Sequence, residues 1–348
     1  MKQILAILLA VLLLLLPGCG AEAAADPEAA QRGYRYVNSM DTLIELTAYG
    51  AKRDAALDAA AAEVERLNAL LSIGLEDSEV SRVNREGSAG LSADTAYLVR
   101  RALEIYDSTG GAFDPTVYPL MALWGFPSGE HHVPTAAEMG ETLPRIGADR
   151  LDFDAETGTL TLAEGQAIDL GGIAKGYTSQ RIMDIYREYG VTSGLVSLGG
   201  NVQCLGAKPD GSAWRIGVRN PDTETGGIVA IVAVKDKAVI SSGGYERFFV
   251  EDGVTYEHIM DPKTGYPVQN ELAQVTVVTA DGTLGDGLST ALYIMGLEKA
   301  SDYWRAHSGD FDAVFTLRDG SVYITAGLED CASPVEGYSG QWSVVSDR

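Results

Sequence analysis

Cysteine is scarce in this 348-residue chain: Cys19, Cys204 and Cys331 are the only three. With no C-x-x-C pair and only four histidines, the chain lacks the ligand clusters of a structural zinc site. Cys204 and Cys331 can pair only if folding brings them together, which spacing does not decide. Positive charge is short as well. Lys and Arg number 26 against 49 Asp and Glu, a formal net charge of -23. This argues against nucleic acid, whose binding neutralises phosphates with Lys and Arg. A small anionic ligand is not excluded, because screening over about 8 Å lets one local cation decide. The composition is otherwise that of a folded protein, with 46% apolar residues to build a core.

No long apolar run is present. The longest, Ile4 to Leu16, is about 13 residues and short for a membrane span. Lys2 precedes it, and Leu16-Pro17-Gly18-Cys19 resembles a bacterial lipobox. Residues 1–19 are therefore expected to be a lipoprotein signal with Cys19 lipidated, and ordinary signal cleavage is the alternative because Pro17 is unusual there. Residues 20–33 form a low-complexity tether, and 34–348 the folded region. The mature protein is expected outside the cytoplasm, anchored to the bacterial cell membrane by lipid.

Several familiar signatures are missing too. In "AIDLGGIAKGY", residues 167–177, Gly171 and Gly176 have nucleotide-loop spacing, but Tyr177 stands where the lysine should follow. The dinucleotide pattern G-x-G-x-x-G and the hydrolase elbow G-x-S-x-G also fail. The stretch can be an anion-binding helix start or a tight strand-to-helix turn.

What is there reads as α+β, with helices and mainly hairpin-linked strands. "YVNSMDTLIELTAYG" alternates like a strand, with Leu43, Leu46 and Ala48 among its apolar positions. "AALDAAAAEVERLNALLS" has helical periodicity, with Leu57, Val64, Leu67 and Leu71 on one face. A helix opens at Ser92 and closes near Gly110. Residues 128–145 read as a polar loop, and His131 and His132 within it are given no role. Thr157-Gly158 turns a hairpin, and a helix runs over "GYTSQRIMDIYREYG". "GLVSLGGNV" follows as a strand, with further strands at 214–219, 229–234, 247–250, 255–260 and 274–280. "DGLSTALYIMG" opens a helix, and 312–325 forms a terminal hairpin. No internal repeat is present.

Chemistry concentrates in a few stretches. Asp286 and Thr290, four apart at a helix start, can share one face and one hard cation, or Asp286 can simply cap the helix. His258 ends a strand before the turn Asp261-Pro262-Lys263-Thr264-Gly265. It can be packed, or it can act as a base near neutral pH. The paired glycines of "VSLGGNV" and "VISSGGYERFF" allow close ligand approach or mark bulges.

Taken in order, "DLGGIAKGY", "SLGGN", "SSGGYERFF", "HIMDPKTGYP" and "DGLSTALYIMG" closely resemble the FAD:protein FMN transferase (ApbE) family, as do "SEVSRVN" at 78–84 and "TGGAFDPTVYPLMALWGF" at 109–126. The resemblance runs from about Met40 to the last hairpin. It implies a two-lobed fold of mixed and antiparallel sheets flanked by helices, with FAD between lobes and a boundary near 165–175. It implies Mg²⁺-dependent transfer of FMN from FAD to a Thr or Ser hydroxyl of an acceptor protein, with AMP released. The acceptors would be Rnf- or Nqr-type subunits or flavin-carrying reductase domains. Hydrolysis of FAD to FMN and AMP is the alternative activity, and a non-enzymatic flavin-binding lipoprotein is a second. By motif position, Asp286, Thr290 and the Gly172 carbonyl become Mg²⁺ ligands. Met40, Ala112, Phe113, Asp114, Asp169, Lys175, His258 and Ile259 become FAD contacts. His258, Asp286 and Lys175 carry catalysis, with His258 the base.

Overall fold

Nine strands hydrogen-bond in chain order into one sheet in the computed structural model, which describes residues 30–222 and 224–346. They are Arg32–Ser39, Thr42–Tyr49, Gly194–Leu198, Asn201–Leu205, Ala238–Gly243, Leu272–Thr279, Phe311–Leu317, Val322–Thr325 and Trp342–Val345. Every neighbouring pair is antiparallel except the last, which is parallel. The α+β expectation holds: strands succeed one another through turns and separate excursions, not through alternating crossovers.

Two of the joints are two-residue turns. Met40 and Asp41 have φ of 52° and 57°, and Gly199 and Gly200 have 60° and 104°. Both central residues at positive φ is the turn whose twist matches paired strands. The stretches 36–50 and 194–202 are thus hairpins, each read above as a single strand. The first turn also sets orientation. Ile44, Leu46 and Ala48 point into the core with no exposure, whereas Leu43 is 53% exposed. Side chains alternate along a strand, so Leu43 cannot share a face with Leu46 and Ala48.

Each face of the sheet has its own cover. On one, the helices Arg53–Leu71 and Gly171–Glu188 pack Leu57, Val64, Ile182 and Met183 against Ile44 and Leu46. Farther along, the helix Gly282–Met295 sets Leu288, Ala291 and Leu292 against Val275, Val277, Ala313 and Phe315. The opposite face takes Val278, Val314 and Ile324 under a three-stranded sheet of Trp214–Arg219, Ile228–Val234 and Ala332–Pro334. Burial on both sides explains the near-continuous apolar run of "VTVV". Cys204 and Cys331 belong to this second cluster as free thiols.

The supposed loop at 128–145 contains the helix Ala136–Thr142. Thr135 and Glu138 close a reciprocal cap there: Glu138 N–H donates to Thr135 Oγ1 at 3.3 Å, and Thr135 N–H donates to Glu138 Oε2 at 2.8 Å. The strands Ala332–Pro334 and Trp342–Val345 follow the hairpin read above as terminal. Among the described residues, no helix is long and apolar enough to cross a membrane.

One contact positions everything that follows. A Cβ on Gly176 would lie 2.1 Å from the carbonyl oxygen of Gly282 and 2.6 Å from Asp286 Cβ. The two helices therefore approach backbone to backbone, which only glycine permits. Gly176→Ala must push them apart, and overpacking of this kind costs about 1–3 kcal/mol. The expected result is a melting temperature lowered by several degrees together with impaired activity. Gly140→Ala, in an exposed helical position with open space around it, serves as control and should hold or raise the melting temperature. Equal behaviour of the two variants would refute the contact.

Candidate active site

Asp281 begins the construction. Its Oδ1 accepts from Leu284 N–H at 3.0 Å, so the helix starts at Gly282. Asp286 consequently lies in the second turn, not at the helix start, and it is not a cap. It is 3% exposed. Its Oδ2 accepts from Gly176 N–H at 2.8 Å and its Oδ1 from Asn201 Nδ2 at 3.0 Å. Burial pushes its pKa up, opposed by the charge of Lys175 and by these donors. A desolvated carboxylate with two donors still lacks a counter-charge in direct contact, which makes the position receptive to a cation.

Thr290 sits one turn on. Its Oγ1 is 3.1 Å from Ser242 Oγ, which is 2.7 Å from Ser289 Oγ, and Ser289 Oγ donates to the Asp286 carbonyl at 2.8 Å. This hydroxyl chain ties the end of Ala238–Gly243 to the helix. Gly172 is the third expected ligand. An ideal helix gives Gly176 N–H to the carbonyl of Gly172, four residues back. Sharing that donor with Asp286 leaves the Gly172 carbonyl acceptor capacity on the cleft it lines. A Cβ at Gly172 would meet the Phe113 ring at 3.1 Å, a tight contact that the ring would have to yield to by a few tenths of an ångström.

The helix Gly171–Glu188 includes the glycine motif itself, five residues earlier than its periodicity suggested. Its first amide is already bonded: Gly171 N–H donates to Asp169 Oδ1 at 2.7 Å. A cation of this helix that lines the cleft is instead Lys175, whose Nζ lies 3.5 Å from the Gly171 carbonyl, and Arg247 lines the same cleft. Among the described residues Lys175 has no carboxylate within 4.0 Å. Its charge nevertheless bears on Asp169, Glu246, His258 and Asp286. Burial raises the Asp169 carboxyl, with the Gly171 amide, Arg247 and Lys175 opposing.

His258 follows the strand Val254–Glu257. Its backbone N–H and its Nδ1 both point at the Arg247 carbonyl, at 3.0 and 3.1 Å. A carbonyl only accepts, so Nδ1 carries the proton and Nε2 keeps a free lone pair. Burial, then the Arg247 charge, lowers the His258 pKa to about 3. The turn beyond it is as expected, with Gly265 N–H donating to the Asp261 carbonyl at 2.8 Å.

One cleft is lined by Ala112, Phe113, Asp114, Asp169, Gly172, Lys175, His258, Ile259, Asp286 and Thr290 together, and it encloses roughly 1000 Å³ of atom-free space, part of it open to solvent. Asp114 turns its carboxylate away to Thr116, accepting from its N–H at 2.8 Å and its Oγ1 at 2.6 Å. Met40 is the exception. It lines an adjoining cleft that shares Asp169, Gly171, Lys175, Gly199, Glu246 and Arg247 with the first. Cys19 lies outside the described residues. Asn201, Ser242 and Arg247 went unassigned above, although the motifs around them were noted. Their roles depend on a strand neighbour or a backbone carbonyl that no local spacing reveals.

The donor set fits a hard ion. It comprises one carboxylate, one hydroxyl and one carbonyl, and among the described residues no three His, Cys, Asp or Glu gather as a metal cluster. Oxygen ligands with a single charge suit Mg²⁺, which takes further ligands from substrate phosphates and water, and do not suit zinc.

Comparison with known proteins shows the family and the fold. The ApbE family model matches residues 40–315. The FAD:protein FMN transferase of Treponema pallidum is 31% identical over 333 residues, covering 90% of this chain and 92% of that one. The crystal structure of the ApbE protein of Thermotoga maritima matches with a TM-score of 0.81 at 30% identity, over 86% of this chain and 99% of that one. The flavin transferase ApbE from Vibrio cholerae matches with a TM-score of 0.78 at 28% identity, over 87% and 99%. The matched segment contains every element that builds the cleft, and the chain belongs to the ApbE family.

Proposed function

We infer that this chain transfers the FMN half of FAD to a Thr or Ser hydroxyl of an acceptor protein and releases AMP. The observation that carries this reading is the convergence of Asp286, Thr290, Lys175 and His258 on one cleft. In the reaction a bond forms between the acceptor oxygen and the FMN phosphorus. The bridging P–O bond to AMP breaks, and AMP departs with the bridging oxygen. The hydroxyl proton passes to Nε2 of His258, the nitrogen left free by the Arg247 carbonyl. Lys175 offsets the negative charge of the pyrophosphate that repels an incoming oxygen.

Asp286, Thr290 and the Gly172 carbonyl would hold Mg²⁺. When bound, the ion supplies charge neutralisation on the phosphate oxygens. The backbone of Ala112 to Asp114 and Ile259 would wall the flavin dinucleotide, and the adjoining cleft at Met40 would take its other end. Membrane redox subunits of the Rnf or Nqr kind are the proposed acceptors, met outside the cytoplasm by an enzyme anchored through lipid on Cys19.

The test is to incubate the protein with FAD, Mg²⁺ and a candidate acceptor and to weigh the acceptor. An FMN mass increment is expected. Free FMN beside an unmodified acceptor would overturn transfer in favour of hydrolysis. Mass analysis of membrane-extracted protein checks the anchor, which an unmodified Cys19 would remove.

A further inference from the structure

Glu257, the residue before His258, is 6% exposed and has no part in the chemistry above. Its carboxylate accepts from Tyr293 Oη at 2.9 and 3.0 Å. Arg318 Nη2 stands 3.4 Å from Glu257 Oε2 and 3.2 Å from Tyr293 Oη, and Arg318 Nε donates to the Asn270 carbonyl at 2.9 Å. Asn270 Nδ2 in turn donates to the Tyr293 carbonyl at 2.7 Å. A Cβ on Gly244 would fall 1.6 Å from Glu257 Oε2, so the glycine of "SSGGYERFF" yields the space the carboxylate occupies.

Tyr293 is fully buried and stands on the Gly282–Met295 helix. Asp286, Thr290 and Tyr293 are spaced i, i+4, i+7, which is one stripe of a helix. The stripe that presents the two metal-ligand candidates to the cleft thus continues into the tyrosine that grips the neighbour of the base.

We propose that the buried pair Glu257 and Tyr293, closed from the surface by the half-exposed Arg318, forms a clamp that sets the position of His258 relative to Asp286 and Thr290, making Glu257 and Tyr293 positioning residues for the transfer. The proposal rests on the FMN-transfer reading. The clamp acts on the reacting geometry and not on FAD affinity, because none of its three residues lines the cleft. Misplacement of a base by a fraction of an ångström lowers turnover while leaving ground-state binding intact.

The test measures FMN transfer, the KM for FAD and the melting temperature in Tyr293→Phe, Glu257→Gln and Glu257→Ala. Tyr293→Phe keeps the buried ring and removes only the donor. It should lower kcat about tenfold or more with the KM for FAD changed less than about twofold. Glu257→Gln retains an oxygen acceptor for Tyr293 and should keep more kcat than Glu257→Ala, so the clamp stays testable even where one variant folds poorly. The decisive arm repeats Tyr293→Phe in a His258→Ala background. A clamp acting through the histidine predicts little further loss there, whereas a general structural role predicts the same loss in both backgrounds. An unchanged kcat in Tyr293→Phe, or full additivity with His258→Ala, overturns the clamp. Absence of transfer by the unmodified protein would instead overturn the function it rests on.

Discussion

Asp286→Ala abolishes FMN transfer in a protein that still folds. The expected loss is about a thousandfold or more, because a metal offsetting transition-state charge contributes several kcal/mol and each 1.36 kcal/mol is about a decade in rate. Stability should change little, because two effects oppose each other. Removal of the carboxylate leaves Asn201 Nδ2 without its acceptor and returns Gly176 N–H to the helix carbonyl alone, at about 1–3 kcal/mol for the buried orphan. It also removes a charge whose desolvation is unfavourable, as its raised pKa records. Circular dichroism and melting temperature should therefore stay near those of the parent while mass spectrometry shows no FMN on the acceptor. Undiminished transfer by the variant, or by the parent in excess chelator, would remove the metal from the reaction.

His258→Ala slows turnover by about 10²–10⁴-fold, the usual value of a positioned base, with FAD binding kept within a few-fold. The parent's pH profile carries a second test. Because the folded pKa of His258 is about 3, Nε2 is unprotonated throughout the neutral range. The profile of kcat/KM should therefore be flat through the ordinary histidine region near pH 6.5. Bound pyrophosphate favours the imidazolium, so the limb seen in kcat should lie at higher pH than that in kcat/KM.

The sign for stability follows from the same depression. Between pH 6.5 and 3 the unfolded state holds the proton more tightly than the folded one. The contribution of His258 to stability is complete above the unfolded pKa and is lost as pH falls toward the folded one. A kcat/KM limb centred near pH 6.5 that disappears in His258→Ala would refute a desolvated base, and an unchanged rate in the variant would strip the histidine of its role.

Much of the site was legible because ligand-binding motifs are local. Asp286 and Thr290 share a helix face at four-residue spacing, and His258 stands at a strand end before a turn of Asp, Pro, Lys, Thr and Gly. The periodicity of Leu57, Val64, Leu67 and Leu71 likewise predicted the buried face of Arg53–Leu71. Element starts were less legible. Asp281 caps a helix that composition placed later, and the glycines of 171–176 are helical although their propensity disfavours it. Packing against Phe113 and Gly282 is what selects them.

By itself the sequence determined the periodic helices, the turn chemistry and the set of residue types able to handle a phosphate, because each depends on neighbours within a turn or two of the chain. Only the tertiary structure decided that Gly176 N–H meets a carboxylate 110 residues away, that Leu43 faces outward, and that Glu257 is held by Tyr293. Those outcomes depend on how closely separate elements approach and which face each buries. They are settled by the collective packing of the whole sheet and its helices, which no short window of residues encodes.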